Sequence, residues 1–298
     1  MRRVVAFQGE RGAYSEEAVV RFFGEIVRGR LDVLPCRSLS EVFRAVNEGA
    51  ATDGLIPIEN SLAGSINESY DLLLKNDLVI HGEVILPISH CLLALEGQTL
   101  QDIRKVYSHP QALAQCDEFL ERRGVETIAV YDTAGSAKML KETNMQGAAA
   151  IASRRAAELY GLEVIAEGIQ TNKSNSTRFY AVGRGLAAKG KRNKTVIVFA
   201  TENKPGALYW CLGAIVCRQI NMTRLESRPS RGQPWEYIFY LDLETHISDP
   251  SCREAIRELE TKTLFMKVLG SFPAATGEGD GRYHENGGRG RQADTRCE

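Results

Sequence analysis

Short apolar runs alternate with amphipathic segments between residues 4 and 161, and this alternation is the strongest constraint on the fold. Val19, Phe22, Phe23 and Ile26 show the i, i+3, i+4, i+7 spacing of a helix with one buried face. The apolar runs are typical of buried strands, and they lie at residues 4–7, 55–58, 79–86, 91–95, 106–107, 128–131 and 148–152. Strands that alternate with helices predict a parallel or mixed α/β sheet with helices on its faces.

Capping residues mark where several of these helices begin. Ser15 is a candidate N-cap, because two glutamates follow it in the first turn of the predicted helix. Ser38 and Glu41 have the spacing of a capping box. Pro110 suits the first position of a helix that Ser108 or His109 could cap, and we expect this helix to continue to the glycine at position 124.

A run of seven polar residues precedes a β-prone segment at 179–182. The run consists of Asn172, Lys173, Ser174, Asn175, Ser176, Thr177 and Arg178. Arg178 can bind a carboxylate through two parallel hydrogen bonds, and the Thr177 hydroxyl can donate or accept one. Such segments are more often solvated loops than ligand sites, so both interpretations stay open on these residues alone.

Polar side chains also follow other predicted strands. Residues 59–65 begin where one apolar run ends, and Ser108, Gln111 and Gln115 follow another. In open α/β sheets, ligands bind at the carboxyl ends of the strands. Gly9 and Gly12 could bring backbone N–H groups to an anion at the start of a helix, but their spacing is not the dinucleotide fingerprint.

Composition excludes several classes of function. The formal net charge is −1, so we expect no nucleic-acid partner and no binding to anionic membranes. The seven cysteines include no CxxC pair, and the five histidines stand singly, so neither a disulfide framework nor a metal site is favoured, and no cofactor motif is present. No apolar run approaches ~20 residues, and the N-terminus resembles a first strand more than a signal peptide. We therefore expect a cytoplasmic protein.

The pattern changes after a Gly-rich basic linker at 184–193. Residues 194–272 predict the order βαββαβ, which is the ferredoxin-like unit. Its helix carries Trp210, Leu212, Ile215 and Val216, and so small a sheet has edges that need covering. We expect these units to pair between chains and give a homodimer or homotetramer. Residues 273–298 contain no Leu, Ile, Val, Phe or Met and are predicted to be a disordered tail.

The motifs together resemble a known family. Residues 1–183 resemble the prephenate dehydratase catalytic domain, and 194–272 resemble the ACT regulatory domain. The matching residues are Gly9, Gly12, Tyr14 and Ser15; Pro57 to Ser61 with Gly64 and Ser65; Ser108 to Ala112 with Gln115; Asn175 with Thr177 to Phe179; Gly206 to Leu208; and Glu226 to Pro229. Ala63 stands where many members have glycine. The resemblance implies a catalytic domain with the two-lobed type 2 periplasmic-binding fold, followed by a ferredoxin-like domain.

The resemblance also implies an activity, the conversion of prephenate to phenylpyruvate with loss of carbon dioxide and water, without a cofactor. The expected catalytic residues are Thr177, Glu59 and Asn60. Thr177 is expected to meet the leaving hydroxyl, and Glu59 either to supply a proton or to be an anchor that orients Asn60 or caps a helix. His109 is expected to be a structural cap. The expected substrate-binding residues are Arg178, Phe179, Ser61, Ser108, Gln111 and Gln115.

The second domain is expected to bind L-phenylalanine, at or near an interface between two chains, and to inhibit the first. The residues implied for this site are Gly206, Ala207, Leu208, Asn221, Met222, Thr223, Glu226, Ser227 and Arg228. Free N–H groups at the start of a helix could receive the carboxylate of the amino acid. Two alternatives remain: arogenate dehydratase, which acts on the amino-acid analogue of prephenate, and a non-enzymatic amino-acid sensor.

Overall fold

The computed structural model describes residues 3–24, 26, 30–229 and 237–275, which fall into two units. The first unit spans residues up to Leu78 and Glu83–Arg184, and the second spans Val79–Gly82 and the chain from Gly185 onward. Most of the predicted disordered tail, from 276 to 298, lies outside the described residues.

The first unit contains two mixed sheets. Its strands are β1 (Arg3–Gln8), β2 (Leu31–Cys36), β3 (Asp53–Asn60), β4 (Gly64–Ser65), β5 (Val79–Pro87), β6 (Cys91–Ala94), β7 (Lys105–Ser108), β8 (Glu126–Ala129), β9 (Ala148–Ala152), β10 (Glu163–Glu167) and β11 (Ser176–Gly183). The first four residues of β5 are those assigned to the second unit. Its helices are α1 (Tyr14–Phe23), α2 (Leu39–Asn47), α3 (Asn67–Lys75), α4 (Pro110–Gln115), α5 (Asp117–Arg123), α6 (Thr133–Thr143) and α7 (Arg154–Tyr160).

The first sheet has the order β5-β11-β3-β1-β2, with β4 paired to β3, and the second has the order β10-β6-β9-β7-β8. In the first sheet β1 is parallel to β2 and β3, whereas β11 is antiparallel to β3. In the second sheet β7 is parallel to β8 and β9, whereas β6 is antiparallel to β9 and β10. The predicted mixed α/β fold is therefore confirmed.

The chain passes between the two sheets through two crossover segments, residues 88–90 and 168–175, which lie side by side. The Ile88 N–H donates to the Asn175 carbonyl at 2.9 Å, and the Ile169 N–H donates to the His90 carbonyl at 3.1 Å. The His90 N–H donates to Oε1 of Gln170 at 2.9 Å. These bonds satisfy backbone groups that have left the sheet ladders, so the two segments support each other.

A fully buried carboxylate, Glu16, ties the turn before α1 to α7. Glu16 Oε2 accepts from Nε of Arg11 at 3.0 Å and from the Gly12 N–H at 2.7 Å, while Oε1 accepts from Nη2 of Arg155 at 2.9 Å. The Ser153 hydroxyl donates to the Gly12 carbonyl at 2.7 Å. A buried charge is tolerated only when it is paired and hydrogen-bonded, and Glu16 meets both conditions.

Two predicted capping arrangements are confirmed. Oγ of Ser38 accepts from the Glu41 N–H at 3.2 Å. Pro110 occupies the first turn of α4, and Nδ1 of His109 accepts from the Gln111 N–H at 3.2 Å.

Other helix boundaries differ from the prediction. Ser15 is not the cap of α1, because the Ala13 carbonyl already accepts from the N–H groups of Glu16 and Glu17 and the helix starts at Tyr14. Ile26 lies beyond the helix, which Gly24 ends at φ +94°. The helix predicted from Pro110 to Gly124 breaks at Cys116 into α4 and α5.

The second unit has the predicted βαββαβ order. Its elements are β12 (Asn193–Ala200), α8 (Ala207–Val216), β13 (Met222–Pro229), β14 (Tyr237–Leu243), α9 (Pro250–Lys262) and β15 (Phe265–Pro273). The antiparallel order β13-β14-β12-β15 is ferredoxin-like. Cys211, Ala214 and Ile215 of α8 pack into the core of this unit, whereas Trp210 and Val216 are exposed.

The Glu16 cluster predicts an acid-dependent part of the stability. Burial alone would raise the pKa of Glu16, but hydrogen bonds from Arg11, Arg155 and the Gly12 N–H lower it below its ordinary value. A carboxyl with a lowered folded-state pKa stabilises the fold above about pH 4.3, and this contribution is lost as the pH falls through the folded-state pKa.

Glu16→Gln should therefore cost ~3 kcal/mol of unfolding free energy at pH 7, with a smaller difference from the wild type in acid. Urea unfolding followed by circular dichroism, at pH 7 and across the acidic range, measures the difference in unfolding free energy between the variant and the wild type. Glu118→Gln, a change at an exposed carboxylate in the first turn of α5, is the control and should have little effect. A Glu16→Gln protein as stable as the control would contradict the assignment.

Candidate active site

A polar cleft of about 470 Å³ lies between the two sheets of the first unit. Asn60, Thr177, Gln111, Gln115, His90 and Thr133 are among the residues that line it. The first two come from paired strands of the first sheet, and the next two come from α4, which follows β7 of the second sheet. The polar groups therefore converge from both sheets, as the carboxyl-end rule for ligand sites predicts.

The orientation of the Asn60 amide is fixed by the backbone. Its Oδ1 accepts from the N–H groups of Leu62 at 3.1 Å and Ala63 at 3.0 Å. The Nδ2 group must then point the other way, where it donates to Oγ1 of Thr177 at 3.0 Å. Thr177 thus accepts a hydrogen bond from Asn60, and no acceptor for its own proton is found within residues 3–24, 26, 30–229 and 237–275. Its O–H can donate into the cleft.

A continuous series of hydrogen bonds extends from this pair. We call it the polar chain, and its members are Thr177, Asn60, Asn175, Gln115, His90 and Tyr14. Nδ2 of Asn60 donates to Oδ1 of Asn175 at 2.7 Å, and Nδ2 of Asn175 donates to Oε1 of Gln115 at 3.0 Å. The same Oε1 lies 2.8 Å from Nε2 of His90. Nδ1 of His90 lies 2.8 Å from the Tyr14 hydroxyl oxygen.

The interior of the polar chain is sheltered from solvent. His90 is 2% exposed and Asn175 is 1% exposed. Burial lowers the pKa of His90, with a smaller opposing effect from its hydrogen bond to Gln115. Burial also raises the pKa of Tyr14. At neutral pH we therefore expect a neutral imidazole and a neutral phenol, both of which are fixed hydrogen-bonding groups.

A smaller cavity of about 220 Å³ has Tyr14, His109 and Thr133 in common with the cleft and is also lined by Arg37 and Tyr131. It includes the start of α1, where Ala13 provides no side-chain cap. The Tyr131 hydroxyl donates to Oε1 of Glu10 at 2.6 Å. An uncapped helix start beside a guanidinium is suited to a carboxylate.

The predicted site residues divide into two groups. Thr177, Asn60, Gln111 and Gln115 line the cleft. Glu59, Ser61, Ser108, Arg178 and Phe179 are not among its lining residues.

Strand geometry explains why the charged pair lies away from the cleft. Successive side chains of a strand point to opposite faces, so Arg178 faces away from the side that Thr177 occupies. Its Nη1 lies 3.3 Å from Oε2 of Glu59, its partner across the strands. The two side chains therefore form an ion pair that links β3 and β11.

The remaining three predicted residues have structural contacts. Ser61 Oγ accepts from the Ser176 N–H at 2.9 Å and donates to the Ser174 carbonyl at 3.1 Å. The fully buried Ser108 donates to the Ile151 carbonyl at 2.6 Å, and Phe179 packs in the core. These contacts differ from the substrate contacts expected for them.

Several residues of the cleft, the polar chain and the smaller cavity were not predicted from the sequence. Asn175 and Tyr14 stood in recognised motifs but received no role. His90 was noted only as a single histidine without metal-ligand spacing, and Arg37 was not considered. His90 follows a long apolar run and precedes another, so the signal available was a titratable residue between two predicted strands. Its partners on other segments could not be inferred from spacing.

The predicted effector residues lie at two places in the second unit. Gly206 is the N-cap of α8 with φ +81°, and Ala207 and Leu208 begin the helix. The Ala207 N–H donates to the Lys204 carbonyl at 3.2 Å, so it is not the free donor that was expected. A cavity of about 420 Å³ beside this helix start is lined by Ala207, Trp210 and Lys262 among others.

The other predicted effector residues lie on or beside β13, which ends the strand order of its unit. Nδ2 of Asn221 donates to Oε2 of Glu244 at 2.7 Å, and Glu226 forms an ion pair with Arg224 at 2.8 Å. Along β13, Met222, Glu226 and Arg228 are half-buried, whereas Thr223 and Ser227 are exposed.

Two mixed sheets around a polar cleft define an α/β protein with a small-molecule site, and comparisons with known proteins assign its class. The family model described as prephenate dehydratase matches residues 5–186. Arogenate dehydratase/prephenate dehydratase 2 of Arabidopsis thaliana is 43% identical over 283 residues, which is 91% of this chain and 73% of that protein. The chain is a dehydratase, an enzyme of the hydro-lyase class. It belongs to the prephenate dehydratase family.

Solved structures agree on the fold. A prephenate dehydratase from Arthrobacter aurescens, solved in complex with L-Phe, has a TM-score of 0.81 and 30% identity, covering 91% of this chain and 89% of that one. GqqA, described as a novel type of quorum quenching acylase, has a TM-score of 0.83 and 36% identity, covering 92% of this chain and 98% of that one.

The expected cytoplasmic location is wrong. Several similar relatives, among them the Arabidopsis protein at 43% identity, are named as chloroplastic enzymes. The absence of an apolar signal does not exclude every kind of targeting segment.

In the described part of the chain, no helix is both long and apolar enough to span a membrane. Within the same residues, no group of three or more His, Cys, Asp or Glu side chains could hold a metal ion.

Asn60→Asp tests whether the N–H donors of Asn60 are needed for turnover. The variant keeps an acceptor for the N–H groups of Leu62 and Ala63 but loses the N–H donors to Thr177 and Asn175. We expect turnover to fall about 100-fold, as it does when one preorganised donor is removed. Steady-state kinetics measures this, with circular dichroism to check the fold.

The control for that change is Asn172→Asp. Oδ1 of Asn172 accepts from the Ser174 N–H, and a carboxylate can keep that bond in an exposed loop. Equal activity of the two variants would show that the Asn60 donors are not needed for turnover.

Proposed function

We propose that this enzyme converts prephenate to phenylpyruvate in the biosynthesis of L-phenylalanine. The observation that carries the proposal is the Thr177 hydroxyl, which accepts a hydrogen bond from Asn60 and can donate its own proton into the cleft. The reaction needs a group of this kind, because the ring hydroxyl of prephenate is a poor leaving group.

The chemistry requires one proton. The bond between the ring and its carboxylate breaks to release carbon dioxide, and that electron pair completes the aromatic ring. The bond from the ring to the hydroxyl breaks at the other end, and the departing hydroxide takes a proton to leave as water. Thr177 donates a hydrogen bond to this oxygen, and the Asn60 N–H that it accepts strengthens its O–H as a donor. The net reaction takes up this proton from the buffered solvent.

Glu59 is not proposed as the proton source. Its carboxylate accepts from Arg178 and is not among the groups that line the cleft. The role that fits its contacts is the second one predicted, an anchor for the strand that carries Asn60. Arg178 then supports the same strand pair through the ion pair with Glu59.

The two carboxylates of prephenate need other partners. We propose that the uncapped start of α1 and the Arg37 guanidinium hold one of them. Gln111 and Thr133 line the cleft and can donate hydrogen bonds to the rest of the substrate.

Arogenate is the alternative substrate, and the names of the relatives support it equally, since they include both activities. Arogenate carries an ammonium group where prephenate carries a keto group, while the reacting ring is the same. Parallel assays with the two substrates decide between them. A sensor without catalysis is disfavoured, because simple binding would not need a hydroxyl donor supported in this way.

We propose further that the second unit is an ACT domain that binds L-phenylalanine and inhibits the first. The ferredoxin-like order and the αL glycine at the start of α8 support this, as does the L-Phe complex of the Arthrobacter relative. We also propose that these units pair between chains, because Tyr209 and Trp210 are 70% and 59% exposed. Light scattering that showed only a monomer would contradict the pairing.

Thr177→Ala tests the catalytic proposal. Phenylpyruvate formation should fall about 100-fold or more, whereas Thr177→Ser should keep most of the turnover, because it retains the hydroxyl. A spectrophotometric assay of phenylpyruvate measures both. Ser176→Ala, at the neighbouring hydroxyl that is not among the cleft-lining residues, is the control. Near-normal turnover of Thr177→Ala would rule out the assigned role.

A pair of glycine variants tests the regulatory proposal in the full chain. A Cβ at Gly206 would lie 3.2 Å from Nε1 of Trp210 at a φ of +81°, whereas a Cβ at Gly213 in the same helix would meet nothing within 4 Å. Gly206→Ala should weaken L-phenylalanine binding about tenfold through backbone strain, and Gly213→Ala should leave it unchanged. Calorimetric titration measures both. Identical affinities would place the effector elsewhere.

A further inference from the structure

His90 contacts both crossover segments and the cleft. The residue lies on the first segment, and the second supplies the groups that hold its backbone. Its carbonyl accepts from the Ile169 N–H at 3.1 Å, and its N–H donates to the Gln170 side chain at 2.9 Å. Nε2 meets Gln115 of α4, and Nδ1 meets Tyr14 of α1. The backbone of His90 is therefore held by two groups of the first unit, and its imidazole by two others.

The direction of each hydrogen bond in the polar chain follows from the Asn60 amide. Because Oδ1 of Asn60 is taken by two backbone N–H groups, its Nδ2 donates, and Oδ1 of Asn175 must accept. Nδ2 of Asn175 then donates to Oε1 of Gln115. An amide oxygen cannot donate, so Nε2 of His90 must carry a proton and donate to the same Oε1.

Nδ1 of His90 can form its hydrogen bond with Tyr14 in either protonation state of the ring. In the neutral imidazole, Nδ1 accepts from the Tyr14 hydroxyl. In the charged imidazole, Nδ1 donates to the Tyr14 oxygen, and the Tyr14 hydroxyl can donate to the Ser89 carbonyl at 2.9 Å. Nε2 keeps its proton in both states, so the donor to Gln115 does not depend on pH.

From this geometry we infer that His90 is a positioning residue for the reaction. Its Nε2–H fixes the Gln115 amide, which in turn positions Asn175. The backbone sets which way the Asn60 amide faces, and Asn175 holds the Nδ2 end of that amide beside the Thr177 hydroxyl. The inference rests on the proposed function, since it takes Thr177 as the donor to the leaving group. His90 transfers no proton and need not touch the substrate. Its role is to keep four side chains from two sheets in one orientation.

Substitutions that differ in the Nε2 donor test the inference in the full-length enzyme. His90→Gln places an amide N–H near the Nε2 position, whereas His90→Phe fills the space without a donor. His90→Asn keeps a polar group but places it near the Nδ1 position. We expect His90→Phe and His90→Asn to lower kcat about tenfold, with KM changed less than about threefold, and His90→Gln to recover most of the loss. Thermal unfolding of each variant identifies any that fail to fold, and His90→Asn replaces His90→Phe in that case.

The double variant with Thr177→Ala provides the second readout. If His90 acts through Thr177, adding His90→Phe to Thr177→Ala should lower kcat by less than about twofold further. The pH profile of kcat should be the same in His90→Gln as in the wild type, because no titration of the imidazole is involved.

Several outcomes would overturn the inference. These are a wild-type kcat in His90→Phe, a His90→Gln enzyme as slow as His90→Phe, a shifted pH profile in His90→Gln, or an undiminished effect of His90→Phe in the Thr177→Ala background. Failure of the proposed function has a different signature. In that case Thr177→Ala itself keeps its turnover, or the wild type forms no phenylpyruvate.

Discussion

The buried carboxylate of Glu16 is the interaction on which the architecture of the first unit depends. It joins the turn before α1 to α7, which follows the central strand β9 of the second sheet. Without the paired guanidinium groups, burial of the Glu16 charge would be strongly unfavourable. Without that charge, Arg11 and Arg155 would lose the partner that they share. The interaction therefore fixes the register of the α1 turn against the second sheet, and the turn also lines the smaller cavity beside the cleft.

The cleft follows from how the chain passes between its two sheets. Two crossover segments run side by side, and their backbone groups must find partners outside the ladders. The same segments carry His90 and Asn175, whose side chains meet residues from both sheets. The polar chain is thus part of the connection between the sheets, and the orientation of the Thr177 hydroxyl, which we propose as the catalytic donor, depends on how well that connection is ordered.

Local signals predicted the elements well where periodicity and caps agreed. The Ser38 capping box, the Pro110 helix start and the βαββαβ order all depend on residues close in sequence, and all are found. Strand β2 contains Pro35 and strand β10 begins and ends with glutamate, so neither shows the apolar run that predicts a strand. The Ser15 cap failed because the Ala13 carbonyl had already started the helix.

The sequence by itself determined the mixed α/β class, the second unit's element order, the family, and the choice of Thr177 and Asn60 as candidate site residues, because each depends on local patterns or contiguous motifs. Only the tertiary structure decided which polar side chains face the cleft. Arg178 and Thr177 are neighbours in sequence, yet strand alternation turns one toward Glu59 and leaves the other in the cleft. His90 and Asn60 belong to the same chain of hydrogen bonds, yet their contact runs through Gln115 and Asn175 from distant segments. Such contacts cannot be inferred from sequence spacing, because the segments come together only when the chain folds.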